Sequence, residues 1–116
     1  STFLYSDAKI GNPEKEEFNI TVTLKNTGFL DGEEVVQLYV VKPALHDRNP
    51  IKSLYGFKRV ALKAGESKQI TIIVNKTDLK AWDVVSKEYV LTKGLYEFQV
   101  GSSSADIKIT DQINLH

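Results

Sequence analysis

A chain of 116 residues, 41% of them hydrophobic, can form one ordinary domain and bury a core without covalent staples. It has no cysteine, so disulfides and thiolate metal sites are excluded, and its two histidines cannot build a zinc site alone. Fifteen basic side chains cancel fifteen acidic ones, which removes the field that gathers nucleic acid, and no basic amphipathic stretch offers itself to a membrane.

The opening Ser1–Tyr5 has neither a basic start nor an apolar signal segment, and methionine is absent throughout. The chain therefore reads as a piece excised from something longer, with its compartment left open. Phe3 to Ile10 is expected to be a strand, closed by the turn signal Gly11-Asn12-Pro13. Phe18, Ile20, Val22 and Leu24 then alternate with polar residues, the period of a half-buried strand. Asn26-Thr27-Gly28 and Asp31-Gly32 mark the next turns. Glu33 to Val41 is apolar almost throughout, which predicts a central strand covered on both faces.

From Lys42 to Ser53 no period holds, and this is the longest stretch read as loop. Between Leu54 and Leu62 the phase of Tyr55 and Phe57 gives way to that of Val60 and Leu62, predicting a bulge near Lys58-Arg59. Ala64-Gly65-Glu66 turns the chain into the alternating Ile70, Ile72 and Val74. Asp78 to Trp82 is the one helical candidate, a single turn with Thr77 or Asp78 as cap. Lys87 to Leu91 is a short strand, Tyr96, Phe98 and Val100 a longer one, and Ile107 and Ile109 the last. Gly28, Gly65 and Gly94 stand where tight reversals would require positive φ. Seven to eight short strands without a long helix make an all-β, two-sheet antiparallel sandwich, its core running from about residue 3 to 110.

Catalytic chemistry is hard to find. A nucleophile needs a base oriented by a third group, whereas His46 lies in the long loop and His116 at the terminus. Carboxylates at the spacing of a calcium loop are absent, and Gly101-Ser102-Ser103-Ser104 opens no helix that could cradle phosphate. Glycosidic cleavage needs two facing carboxylates, yet Asp31, Glu33, Glu34, Glu66, Glu88 and Glu97 fall at turns and polar phases. No cofactor is implied. For sugar stacking Tyr5 and Tyr55 are the freest aromatics, while Trp82 suits a packing anchor at a core edge. Apolar residues grouped in turns and the long loop suggest instead a surface for docking; Phe29, Leu30, Tyr55 and Trp82 are its candidates.

The run Asn26-Thr27-Gly28, followed by Gly32-Glu33-Glu34-Val35-Val36-Gln37-Leu38-Tyr39-Val40, resembles the fibronectin type III-like domain that closes many family-three β-glucosidases and β-xylosidases. Pro50-Ile51-Lys52-Ser53-Leu54-Tyr55-Gly56-Phe57-Lys58-Arg59-Val60 is similar to that family's next segment, and Leu62 to Ser67, Trp82-Asp83, Gly94-Leu95-Tyr96 and Val100 to Ile107 follow in order. Ala64, Ser53 and Tyr55 depart from it, where a proline, an acidic and a basic residue are usual. The resemblance implies an immunoglobulin-like sandwich packed on the catalytic domains of the same polypeptide, a glycoside hydrolase whose nucleophile and acid/base lie elsewhere. It also implies that His46, Asp47, Arg48 and Asn49 of the long loop are candidates for a substrate-entrance or interface role. Carbohydrate and a homo-oligomer formed through the parent are further candidate partners. Two competing readings remain: an independent carbohydrate-binding module, or an adhesion-type fibronectin module, for which Asn19-Ile20-Thr21 and Asn75-Lys76-Thr77 fit the glycosylation pattern.

Overall fold

The computed structural model describes residues 2–12, 15–43, 51–83, 85–91 and 94–115. Within them nine strands form: β1 (Phe3–Ile10), β2 (Glu17–Asn26), β3 (Gly32–Lys42), β4 (Ile51–Leu62), β5 (Ser67–Asn75), β6 (Ala81–Asp83), β7 (Glu88–Val90), β8 (Gly94–Ser103) and β9 (Asp106–Leu115). Seven build the sandwich, as one antiparallel sheet in the order β1-β2-β5 and another in the order β4-β3-β8-β9. β6 and β7 form a separate small hairpin.

The period-two residues close the core. Phe18, Ile20, Val22 and Leu24 of β2 and Ile70, Ile72 and Val74 of β5 face Val36, Leu38 and Val40 of β3 and Tyr96, Phe98 and Val100 of β8, all buried. Phe18 and Phe98 meet edge to face across the sheets, centroids 5.9 Å apart, an arrangement worth roughly 1 kcal/mol beyond the area it buries.

Several local expectations change. β3 is central, between β4 and β8, but only one of its faces is buried; Val35, Tyr39 and Val41 on the other are half-exposed. The bulge in β4 falls at Tyr55, since Leu38 pairs with Gly56 and Tyr39 with Leu54, and not at Lys58-Arg59. β4 begins at Ile51, so the patternless stretch is shorter than Lys42–Ser53. The helical turn is a 3-10 turn over Lys76–Leu79; its cap is Asn75, whose Oδ1 accepts from Thr77 N at 2.9 Å. β9 runs ten residues, well beyond Ile109.

Gly65 and Gly94 adopt positive φ, of 77° and 135°. Gly28 does not; its reversal is held by a side chain, the Oδ1 of Asn26 accepting from Gly28 N at 2.9 Å. Asn26 is fully buried. Its Nδ2 donates to the carbonyls of Leu30 and Leu62, its backbone N donates to Glu66 O, and its own carbonyl accepts from Gly65 N. One side chain thus joins the β2–β3 and β4–β5 connections at one end of the sandwich.

Candidate docking surfaces

Each connection has a fixed end. Antiparallel pairing gathers the β2–β3, β4–β5 and β8–β9 connections at one end and the β5–β6 and β7–β8 connections at the other. The molecule measures 55 × 27 × 18 Å. Candidate residues at opposite ends therefore belong to different surfaces.

Phe29 and Leu30 ride on the first end, on the loop that Asn26 holds from beneath. Phe29 is 99% exposed. The depression beside them is lined by Asp31, Glu33, Ala61, Leu62, Lys63 and Glu66. Two of its three carboxylates have structural duties: Asp31 accepts from Ala64 N and Glu66 from Lys63 N. A neighbouring groove holds Glu34, which accepts the Tyr5 hydroxyl at 3.1 Å, and Asp106, which accepts from Ser102. The Ser102 bond first, then Lys108 at 3.0 Å, holds the Asp106 carboxyl below the usual range, the reverse of what a general acid requires. Among the described residues no three His, Cys, Asp or Glu side chains gather where they could hold a metal.

Tyr55 and Trp82 lie toward the other end, in unlike settings. The half-buried Tyr55 packs on the core, and its hydroxyl donates to Asp78 at 2.8 Å while accepting from Asn75 N at 2.8 Å. Tyr5 is buried outright. Neither is a loose aromatic. Burial, chiefly, raises the pKa of both, with Glu34 adding to it at Tyr5 and Asp78 at Tyr55. Trp82 is no packing anchor either: it is 44% exposed on β6 and meets Tyr89 of β7, itself 66% exposed, edge to face at 5.1 Å. The buried residue of that region is Leu79. Asp83 stiffens the hairpin tip by accepting from Val85 N at 2.9 Å. His46, Asp47, Arg48 and Asn49 lie outside the described residues. Of the two glycosylation patterns, Asn75 has its side chain engaged by Thr77 and Glu17, while Asn19 lies exposed in β2.

Between the two ends runs a surface that sequence reading passes over. Pairing places Phe57 opposite Gln37 and Leu54 opposite Tyr39 on the outer face of the four-stranded sheet. Phe57 is 65% exposed, and Leu54 and Leu95 are half-exposed. Beside them lies a polar row in which Tyr39 donates to Gln37, and Gln99 and Gln112 both donate to Glu97. Lys52 reaches over the Tyr39 ring, its Nζ 5.0 Å from the centroid, and donates to Ser104 O at 2.8 Å. The signal was the continuous apolar run of β3, whose second face needs a cover.

A family model described as fibronectin type III-like domain matches residues 34–104. A probable β-glucosidase M of Aspergillus niger is 38% identical over 107 residues, covering 90% of this chain and 14% of that protein. A GH3 β-glucosidase structure from Bifidobacterium adolescentis superposes with a TM-score of 0.89 at 31% identity, over 98% of this chain and 17% of its own. β-glucosidase 3B from Thermotoga neapolitana does so with 0.90 at 30% identity, over 99% and 16%. This chain spans about one-seventh of the curated relative's length.

Proposed function

The chain belongs to the fibronectin type III-like domain family, and on that premise we propose that it is a non-catalytic accessory module of a family-three glycoside hydrolase. The parent would hydrolyse terminal β-glycosidic bonds, as a β-glucosidase does. The module would dock on the catalytic domains of the same polypeptide, stabilise them and shape the substrate entrance. One observation carries this reading: β-glucosidases match nearly all of this chain with only 14% to 17% of their own. The engagement of Asp31, Glu34, Glu66 and Asp106 in turns and side-chain bonds supports the non-catalytic part.

The test uses the purified 116 residues and a nitrophenyl β-glucoside. No turnover is expected, and turnover above a heat-treated control would overturn the non-catalytic assignment. Deleting the module from the full-length polypeptide is expected to lower its thermal midpoint.

A second reading rests on the exposed Trp82–Tyr89 pair, whose rings suit the apolar face of a pyranose. As an independent carbohydrate-binding module the chain would be retarded in native gels containing soluble glucan, and Trp82→Ala would abolish the shift.

A further inference from the structure

Resting on that reading, we propose that the module seats on the catalytic region of its own polypeptide through the outer face of the four-stranded sheet, with Phe57, Leu54 and Tyr39 at the centre. β3 is the first reason. β3 carries apolar residues on both sides, with Val35, Tyr39 and Val41 outward of the buried Val36, Leu38 and Val40, a pattern suited to a place between two layers, and the sandwich supplies only one. Val35, Tyr39 and Val41 look outward with Phe57 and Leu54 beside them and Leu95 on β8, so the missing layer is external.

Polarity is the second reason. Interface centres are poor in unpaired charge and rich in aromatic side chains. Here Glu97 accepts from both Gln99 and Gln112, and Lys52 donates to Ser104 O and lies over the Tyr39 ring, so both charges keep hydrogen-bond or ring partners within the module, while the exposed Arg59, opposite Val35 on the edge strand β4, falls at the polar rim. The opposite outer face differs. On β2 it presents Glu17, Asn19, Thr21, Thr23 and Lys25, and the exposed Leu4 and Ile73 are separated by that polar strand. Such a face suits water.

Size and tether point to the occupant. Four strands about 4.8 Å apart, over some 30 Å of length, give a face of roughly 400 Å². Buried against a partner, this makes about 800 Å² in total, within the range of contacts between domains of one chain. The relatives carry more than four-fifths of their length beyond the part matched here, so the partner is tethered and need not bind tightly from solution.

Hydroxyl-radical footprinting of the full-length polypeptide, read by mass spectrometry, tests the assignment. Phe57, Leu54 and Leu95 should be labelled roughly tenfold less than their exposure in the module alone implies, while Leu4 and Ile73 label fully. Full labelling of Phe57 and Leu54 with protection of Leu4 and Ile73 would overturn the choice of face and leave docking intact. Full labelling of all five would overturn the docking reading as well. In the same polypeptide Phe57→Asp should expose the joining segment to protease, whereas Ile73→Asp should not; equal cleavage in both would count against the face.

Discussion

The side-chain amide of Asn26 donates to the carbonyl of Leu62, 36 residues further along the chain, at 3.1 Å and with no exposure to solvent. The same side chain serves Leu30 O and Gly28 N, so three buried or half-buried backbone groups depend on it. Asn26→Ala would leave them without partners, at an expected cost of about 2–4 kcal/mol. Asn26→Asp keeps an acceptor for Gly28 N but turns a buried carboxylate oxygen toward the Leu30 and Leu62 carbonyls, so it should cost at least as much as Asn26→Ala. The urea midpoint of the three proteins checks the order: wild type highest, then Ala, with Asp equal to it or lower. A wild-type midpoint in Asn26→Ala would mean that water replaces the amide.

Two glycines in the larger sheet should answer very differently to alanine. A Cβ on Gly101 would stand 2.2 Å from Asp106 O and 2.8 Å from Ile107 Cα, both backbone, where β9 crowds against β8 at a register shift. Something must move, and Gly101→Ala should cost about 2 kcal/mol or more. A Cβ on Gly56 would meet only Ile72 Cγ2 at 4.0 Å, an ordinary contact. Gly56→Ala should be neutral or slightly stabilising, since it also reduces the freedom of the unfolded chain. Thermal midpoints of the two variants should differ by several degrees in that direction.

High pH should unfold the chain through its phenols. Tyr5, Tyr55 and Tyr96 have raised pKa values, burial being the first cause in each. The folded state holds these protons more tightly than the unfolded one. Their contribution is therefore complete below the unfolded tyrosine value of about 10 and is lost as pH rises beyond it. Tyrosinate absorbance and near-ultraviolet dichroism, followed together, should show these phenols ionising as the fold is lost. Tyr5→Phe should give up about 1 kcal/mol at neutral pH, the worth of its bond to Glu34, and move the alkaline transition upward.

The sandwich could be read from sequence because its core positions repeat every second residue; Phe18 to Leu24 and Ile70 to Val74 needed no partner to show which face is buried. The bulge at Tyr55 is a property of the β3–β4 pairing, whereas one strand's pattern shows only that the phase changes somewhere. β6 and β7, three residues each, are too short for any period, so the sequence pattern suggests a packing anchor at Trp82 although it lies exposed beside Tyr89. The docking candidates suffered from a different defect. Apolarity in turns can be seen in a sequence, but Phe29 and Trp82 lie at opposite ends of a 55 Å molecule, and only the fold reveals that. Phe57 and Leu54, which share a face with Tyr39, were hidden by the bulge that separates their phases.

Tyr55 and Trp82, equal as docking candidates by sequence, should separate when the chain is tested alone. Tyr55→Phe keeps the ring on the core but leaves Asn75 N–H without its acceptor and Asp78 without its donor. A half-buried amide left unpaired costs about 1–3 kcal/mol, and Asn75 also caps the 3-10 turn, so the loss should fall near the top of that range. Trp82→Ala removes an exposed edge-to-face contact with Tyr89, worth roughly 0.5–1.5 kcal/mol, from a hairpin that stands apart from both sheets. Urea unfolding should therefore rank Tyr55→Phe as the costlier change, although it removes one oxygen and the other a whole indole. The reverse ranking would mean that the β6–β7 hairpin closes that end of the core, and the exposure of Trp82 would then need a partner within the chain to explain it.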